Sequence, residues 1–341
     1  AKYCDHFDAY RGLVMRRSLE QWASIADVSS EALRSVARAC AAEPTAMLLG
    51  WGLQRRRCGA TTVRCIDALA AVSGNLGVSG GGVSFYVQRR GAFDLSFCRP
   101  HDAPRAIPEP LLGPGILQQR DPPIRMVWVT AANPVAMLPD SNTVARALRS
   151  RELTVVVDSF LTDTARCADL VLPTTTMLEE DDLLGAYGHH WLVESRPVVS
   201  PPAGVRTDYQ IAQELARRIG LSEVLDDDVQ TWKRRLLSRL QPHGIDLDRL
   251  REGAVKNPFA TPLLFADRRF PPPRGTVNLI HALPDAVLRD PAPAHLTLAA
   301  LSTDKAQGSQ WPASAQLGPA VATVHPSVAA DFEEGQQVQL R

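Results

Sequence analysis

Two short apolar runs, Val155–Val157 and Leu170–Leu172, flank a polar bridge that holds Asp158, Ser159, Thr162, Asp163 and Thr164. This pattern constrains the fold more than any other stretch. Short apolar runs bounded by polar turn residues read as buried strands. Upstream, "IRMVWVT" (Ile124–Thr130) reads as a third strand, with "AANP" as its turn. Between them, Asp140 or Ser141 caps a helix carrying Val144, Ala145 and Leu148. Downstream, Thr207 or Asp208 caps "YQIAQELARRIG", which places Ile211, Leu215 and Ile219 on one face and ends at Gly220. A second set of elements lies nearer the amino terminus. Ser29 or Ser30 opens a helix with Leu33, Val36, Ala37 and Cys40 on one face. "TAMLLG" (Thr45–Gly50) reads as a short buried strand, "GWGLQRRRCGA" as its loop, and about Thr61–Ser73 as the following helix. Repeated βα alternation of this kind predicts an α/β fold with doubly wound, mainly parallel sheets in two domains.

Residues 93–123 are proline-rich and aperiodic, and predict a linker or surface excursion. Residues 221–290 mix charge runs with proline and predict a helical or loop insertion. From "HLTLAAL" onward, residues 291–341 change to short strands, the beginning of a β-barrel-like domain too short to close on its own core. The first residue is not Met, and the expectation is a fragment of a longer product. Formal net charge is zero, so no nucleic-acid surface is expected, and no apolar run is long enough for a direct membrane span. None of the six cysteines forms a Cys-x-x-Cys pair, so no zinc ribbon or iron–sulfur motif is encoded. The compartment stays undetermined.

In open α/β sheets, ligands bind beyond the carboxyl ends of the strands. Three loops qualify: Gly50–Gly52, Ala131–Pro134 and the bridge after Asp158. A carboxylate where a strand runs out can accept hydrogen bonds from a ribose diol or from a purine's N–H and NH₂ groups. Thr162 and Thr164 offer hydroxyls to phosphate oxygens. The same residue types are common in turns and caps, so any one loop alone is structural more often than not. "SGNLGVSGGGVSF" clusters glycines ahead of Arg89 and Arg90, whose guanidinium groups suit an anionic ligand or simply face solvent. His189 and His190 are adjacent, and on a strand would face opposite sides, so they do not define a metal site.

Taken in order, these stretches resemble the molybdopterin oxidoreductase family, whose members include dimethyl sulfoxide reductase and formate dehydrogenase. "GWGLQRRRCGATTVRCIDALAAVSGNLGVSGGGV" is similar to that family's dinucleotide loop, helix and glycine-rich loop. The Asn-Pro turn, the Asp-x-Phe-x-Thr-x-Thr bridge and the Ala-Asp-x-Val-Leu-Pro strand match it in sequence order. "LSTDKAQGSQW" with "VHPSVAADFEEGQQVQL" is similar to the opening of the family's carboxy-terminal barrel. The resemblance implies residues 1–98 as the later part of one α/β dinucleotide-binding domain. It implies 99–220 as a second, guanosine-binding α/β domain, 221–290 as an insertion, and 291–341 as the start of a dinucleotide-binding barrel.

The implied cofactors are two molybdopterin guanine dinucleotides holding Mo or W, with an iron–sulfur cluster in a region upstream of this stretch. By the same resemblance, Gly50, Trp51 and Gly52 line one dinucleotide. Asn133, Pro134, Asp158, Phe160, Thr162 and Thr164 hold the other's guanosine and phosphates, and Ser309 contributes from the barrel. Arg89 or Arg90 lies near where formate-oxidising members keep a substrate-facing arginine. The implied partners are a small-molecule substrate and an electron-transfer subunit. The metal's protein ligand and any cluster cysteines lie upstream in the family, so the isolated chain is expected to be inactive. A non-catalytic relative, like the large subunit of respiratory complex I, is the alternative; a scaffold has no need of Gly52, Asp158, Thr162 and Thr164. A nicotinamide-dependent dehydrogenase predicts a G-x-G-x-x-G turn, which is absent.

Overall fold

A computed structural model of the chain describes residues 2–56, 58–84, 90–97, 105–185, 189–271, 273–284, 299, 301, 321–325, 329 and 332–338. The chain divides into two compact units. One comprises residues 1–99, 181–196 and 227–297, the other 100–180, 197–226 and 298–341. The elements begin with β1 (Cys4–Asp5), α1 (Phe7–Val14), α2 (Leu19–Ile25), α3 (Ser30–Ala42), β2 (Ala46–Leu48), α4 (Gly59–Val72) and β3 (Gly82–Ser84). Next come α5 (Leu112–Gln118), β4 (Met126–Thr130), α6 (Pro134–Met137), α7 (Ser141–Arg149), β5 (Leu153–Asp158) and β6 (Leu170–Pro173). The remainder is β7 (Asp182–Gly185), β8 (Trp191–Ser195), α8 (Asp208–Arg218), α9 (Val229–Leu236), α10 (Leu247–Glu252), β9 (Val255–Lys256) and β10 (Val277–Asn278).

In the second unit, β4, β5 and β6 form a parallel sheet in that order, with Trp128 opposite Val155 and Val157 opposite Leu172. Strand β5 is central, and Val155, Val156 and Val157 are all buried, as a continuous apolar run requires. Helix α7 packs Val144, Ala147 and Leu148 into the core beside Cys167 and Ile116. Asp140 caps α7 by accepting from the Thr143 amide at 3.2 Å. Helix α5 corrects the linker reading of residues 93–123. Its Gly113, Pro114 and Gly115 erase the apolar period, yet Gly113 is what lets the helix approach α7. A Cβ there would lie 2.9 Å from the Val144 nitrogen.

In the first unit, β2 and β3 pair in parallel, Met47 opposite Val83. Strand β2 was expected to be buried; instead Leu48 is 82% exposed, because only one neighbour strand flanks it among the described residues. Asn75, 2% exposed, locks this region. Its amide accepts from the Thr45 N–H at 2.7 Å and donates to the Cys40 carbonyl at 2.9 Å. An antiparallel sheet β7–β8–β9 packs Leu183 and Leu192 against Leu237, Leu240 and Leu250 from the helical part. Among the described residues, Leu183, Leu192, Leu237, Leu240 and Leu250 thus share one core with Ala92 in the first unit. No closed barrel occurs among the described residues. Ser309 and most of 291–341 lie outside them, so the expected barrel onset does too.

The turn Arg90–Ala92 and the chain after it are welded to α9. Ala92 is fully buried beside Leu237 and Leu240. The Asp94 amide donates to the Leu236 carbonyl at 2.8 Å, and Ser238 Oγ donates to Asp94 Oδ2 at 2.6 Å. Hydrogen bonds from Ser238 and Ser96 hold the Asp94 carboxyl at about 2, below its ordinary 3.8. A depressed carboxyl stabilises the fold fully above its unfolded value and stops doing so as pH falls through its folded one. Asp94→Asn is therefore expected to flatten the acid limb of stability between about pH 4 and pH 2. Denaturation followed by circular dichroism across that window checks it.

Candidate functional site

The carboxyl edge of the β4–β5–β6 sheet gathers the polar residues of the second unit. Strand β4 ends at Thr130, β5 at Asp158, and β6 runs into Thr174. Residue Thr174 also bridges in parallel to Arg206, which returns the chain to this edge just ahead of α8. Thr207 caps α8 in a reciprocal box with Gln210, and Asp208 becomes the first helical residue. There the Asp208 carboxylate accepts from Thr130 Oγ1 at 2.5 Å and from Thr174 Oγ1 at 2.8 Å. Two carboxylates, Asp158 and Asp208, thus stand at one sheet edge. Beside them, a mostly apolar cavity of about 470 Å³ runs between the sheet and α8, bounded by Trp128, Val157, Ile211 and Leu215.

The bridge is ordered by its own side chains. Asp158 Oδ1 accepts from the Phe160 amide at 3.0 Å, and Thr162 Oγ1 donates to Asp158 Oδ2 at 3.4 Å. Thr162 Oγ1 also accepts from the Ala165 amide at 3.2 Å, at the start of the Ala165–Cys167 turn. Thr164 is fully buried; its hydroxyl donates to Asn133 Oδ1 at 2.6 Å and accepts from the Val135 amide at 3.1 Å. A hydroxyl has one proton to give. The Thr164 proton is committed to Asn133, so this side chain ties the Asn-Pro turn to the bridge. Phe160, by contrast, is 64% exposed. Thr164→Val is expected to cost about 1–3 kcal/mol of stability by stranding buried polar groups, with Thr164→Ser retaining most of it. Chemical denaturation of both variants measures the difference.

Of the residues singled out from the sequence, Asn133, Pro134, Asp158, Phe160, Thr162 and Thr164 are brought together at this edge. Gly50, Trp51 and Gly52 belong to the first unit, where they open a short 3-10 turn after β2. A Cβ at Gly50 or Gly52 would meet nothing within 4 Å, and Trp51 is half-exposed, so this turn faces space that no described residue fills. Arg89 and Ser309 lie outside the described residues. The backbone of Arg90 opens the turn pinned to α9. Sequence reasoning saw Asp208 only as a helix cap and missed Thr130 and Thr174. The pairing of residues 78 and 34 positions apart leaves no local signal. Among the described residues, no cluster of three or more His, Cys, Asp or Glu could hold a metal ion.

A family model described as molybdopterin oxidoreductase matches residues 22–218, more than half of the chain. The chain belongs to the molybdopterin oxidoreductase family. It is 35% identical over 251 residues to the probable oxidoreductase YyaE of Bacillus subtilis, covering 72% of this chain and 38% of that one. It is 29% identical over 278 residues to trimethylamine-N-oxide reductase 1 of Escherichia coli K12, covering 69% and 33%. This molybdopterin oxidoreductase chain thus spans less than half the length of these curated relatives. Among solved structures, acetylene hydratase from Pelobacter acetylenicus shares its fold, with a TM-score of 0.65 at 19% identity over 86% of this chain and 46% of that one.

Proposed function

We propose that this chain carries the guanosine-reading edge of a molybdopterin guanine dinucleotide site, in an oxidoreductase that uses molybdenum or tungsten on a small substrate. The pair of carboxylates at one sheet edge carries the reading. A guanine presents N–H and NH₂ donors and a ribose presents two hydroxyls, and Asp158 and Asp208 supply the acceptors such groups need. Asp208 keeps lone pairs beyond the two that Thr130 and Thr174 occupy, and those hydroxyls fix its direction. Exposed Phe160 offers a flat apolar wall to a base or sugar. Thr162, Thr164, Asn133 and Pro134 set the shape of the two loops. Gly50, Trp51 and Gly52 line the second dinucleotide, where open glycine backbone admits a pyrophosphate closely. Ser309 contributes from the later region, and Arg89 or Arg90 offers a guanidinium to an anionic or polar substrate.

When bound, the pterin-held metal supplies the redox chemistry, oxygen-atom transfer or electron and proton transfer. The chain's part is to bind, orient and set the local electrostatics. An iron–sulfur cluster or an electron-transfer subunit outside these residues would supply or accept the electrons. The test is cofactor binding rather than turnover. Protein purified from its native host should release guanine nucleotide on acid hydrolysis. Asp158→Ala and Asp208→Ala variants should release far less while keeping the wild-type circular dichroism. Folded variants with undiminished guanine content would reject the assignment.

A further inference from the structure

The chain passes between its two units at 180/181, 196/197 and 226/227, among other places. The first-unit ends of these three passages meet at one side chain. Lys233, on α9, is only 3% exposed, and its ammonium contacts Asp181 and lies 3.1 Å from Glu194 Oε1, itself 1% exposed. Asp181 is the residue just before β7, Glu194 sits in β8 two residues before the second passage, and α9 starts two residues after the third. The remaining partners close the set. Gln230 Nε2 donates to Asp181 Oδ2 at 2.7 Å, Arg251 Nε donates to Glu194 Oε2 at 3.1 Å, and Arg251 Nη2 donates to Gln230 Oε1 at 2.8 Å. Arg196 approaches Glu194 at 4.0 Å, and Asp248 holds Arg251 at 3.0 Å. Further out, Asp227 pairs with Arg235 at 2.6 Å at the start of the third passage.

A buried ion pair is rarely the strongest way to fill such a volume, since well-packed apolar residues often serve as well or better. What it adds is direction, because each charge must meet its particular partner. We propose that Lys233 is an ionic root that holds three interunit connections to one point of the first unit. The connections are themselves bonded just outside that root: the Val198 and Val199 amides both donate to the Leu178 carbonyl, at 2.8 and 3.2 Å. With the root intact, these two strands of chain leave together. Without it, they fray from Asp181 outward. This holds whatever ligand the sheet edge binds.

Native-state hydrogen exchange on the natively purified protein tests it. Three variants are compared with wild type: Asp181→Asn, Lys233→Met/Glu194→Gln, and Leu250→Ala as a core control. In the first two, the Val198 and Val199 amides are expected to exchange about tenfold or more faster, while α10 amides change far less. Leu250→Ala should speed exchange across the first unit without singling out Val198 and Val199. If the double variant fails to fold, Asp181→Asn alone decides, because it leaves the Lys233–Glu194 pair in place. Unchanged exchange at Val198 and Val199, or acceleration spread as evenly as in Leu250→Ala, overturns the proposal.

Discussion

Gly77→Ala is expected to destabilise the first unit by about 2–5 kcal/mol, the sum of left-handed backbone strain and overpacking. Gly77 has φ near +69°, and an added Cβ would sit 2.1 Å from the Phe265 carbonyl oxygen and 2.8 Å from its carbon. That oxygen cannot simply retreat, because it accepts from the Arg268 amide at 2.9 Å. Arg268 in turn donates through its guanidinium to the Leu76 carbonyl, so both sides of the contact are tied to each other. Gly74→Ala is the matched control: φ is near +80°, but nothing lies within 4 Å of the added carbon. It should lose only about 1 kcal/mol or slightly more, from backbone strain alone. Denaturant midpoints for the two variants separate clash from strain, and equal losses would contradict the packing described. The same comparison answers what the glycine cluster is for. Gly77 is a point of contact between distant stretches of the chain.

Asp208→Ala is expected to weaken guanine-nucleotide binding about a hundredfold, because hydrogen bonds to a charged acceptor contribute roughly 1.5–3 kcal/mol each. Thr130→Val should have a smaller effect of the same sign, about tenfold, since it removes only one hydroxyl that aims the carboxylate. The readout is the rate at which guanine nucleotide is lost from purified protein during dialysis. Thr164→Val leaves both carboxylates in place and acts only through the loops that Thr164 ties together, so its effect should fall more on stability than on binding. Loss rates that follow stability across all three variants, rather than the carboxylate edge, would count against Asp208 as a reading group.

The sequence exposed those parts whose physics is local. Strand β5 was legible because Val155–Val157 is apolar on both faces and hence central. The caps were legible to within one residue, and the structure selects Asp140 and Thr207, each of which bonds an amide three residues on. Helix α5 was hidden because glycine that permits close helix approach also erases the period that marks a helix. The interleaving of the first unit was hidden for another reason. Leu183, Leu192, Leu237 and Leu240 share a core only after the chain has left and returned, and no composition shift marks that return. At the sheet edge, Asp158 stood out as a carboxylate at a strand end. Asp208 did not, because its partners Thr130 and Thr174 are joined to it only by the folded sheet. The hydroxyls of the bridge read as ligand contacts. Thr164 shows how a short oxygen-bearing side chain can equally serve as a strut.

The most direct test is the composition of the protein purified from its native host, with metal measured by mass spectrometry and guanine after acid hydrolysis. Molybdenum or tungsten accompanied by two guanine nucleotides per metal is the predicted result. Folded protein that carries neither metal nor guanine would contradict it.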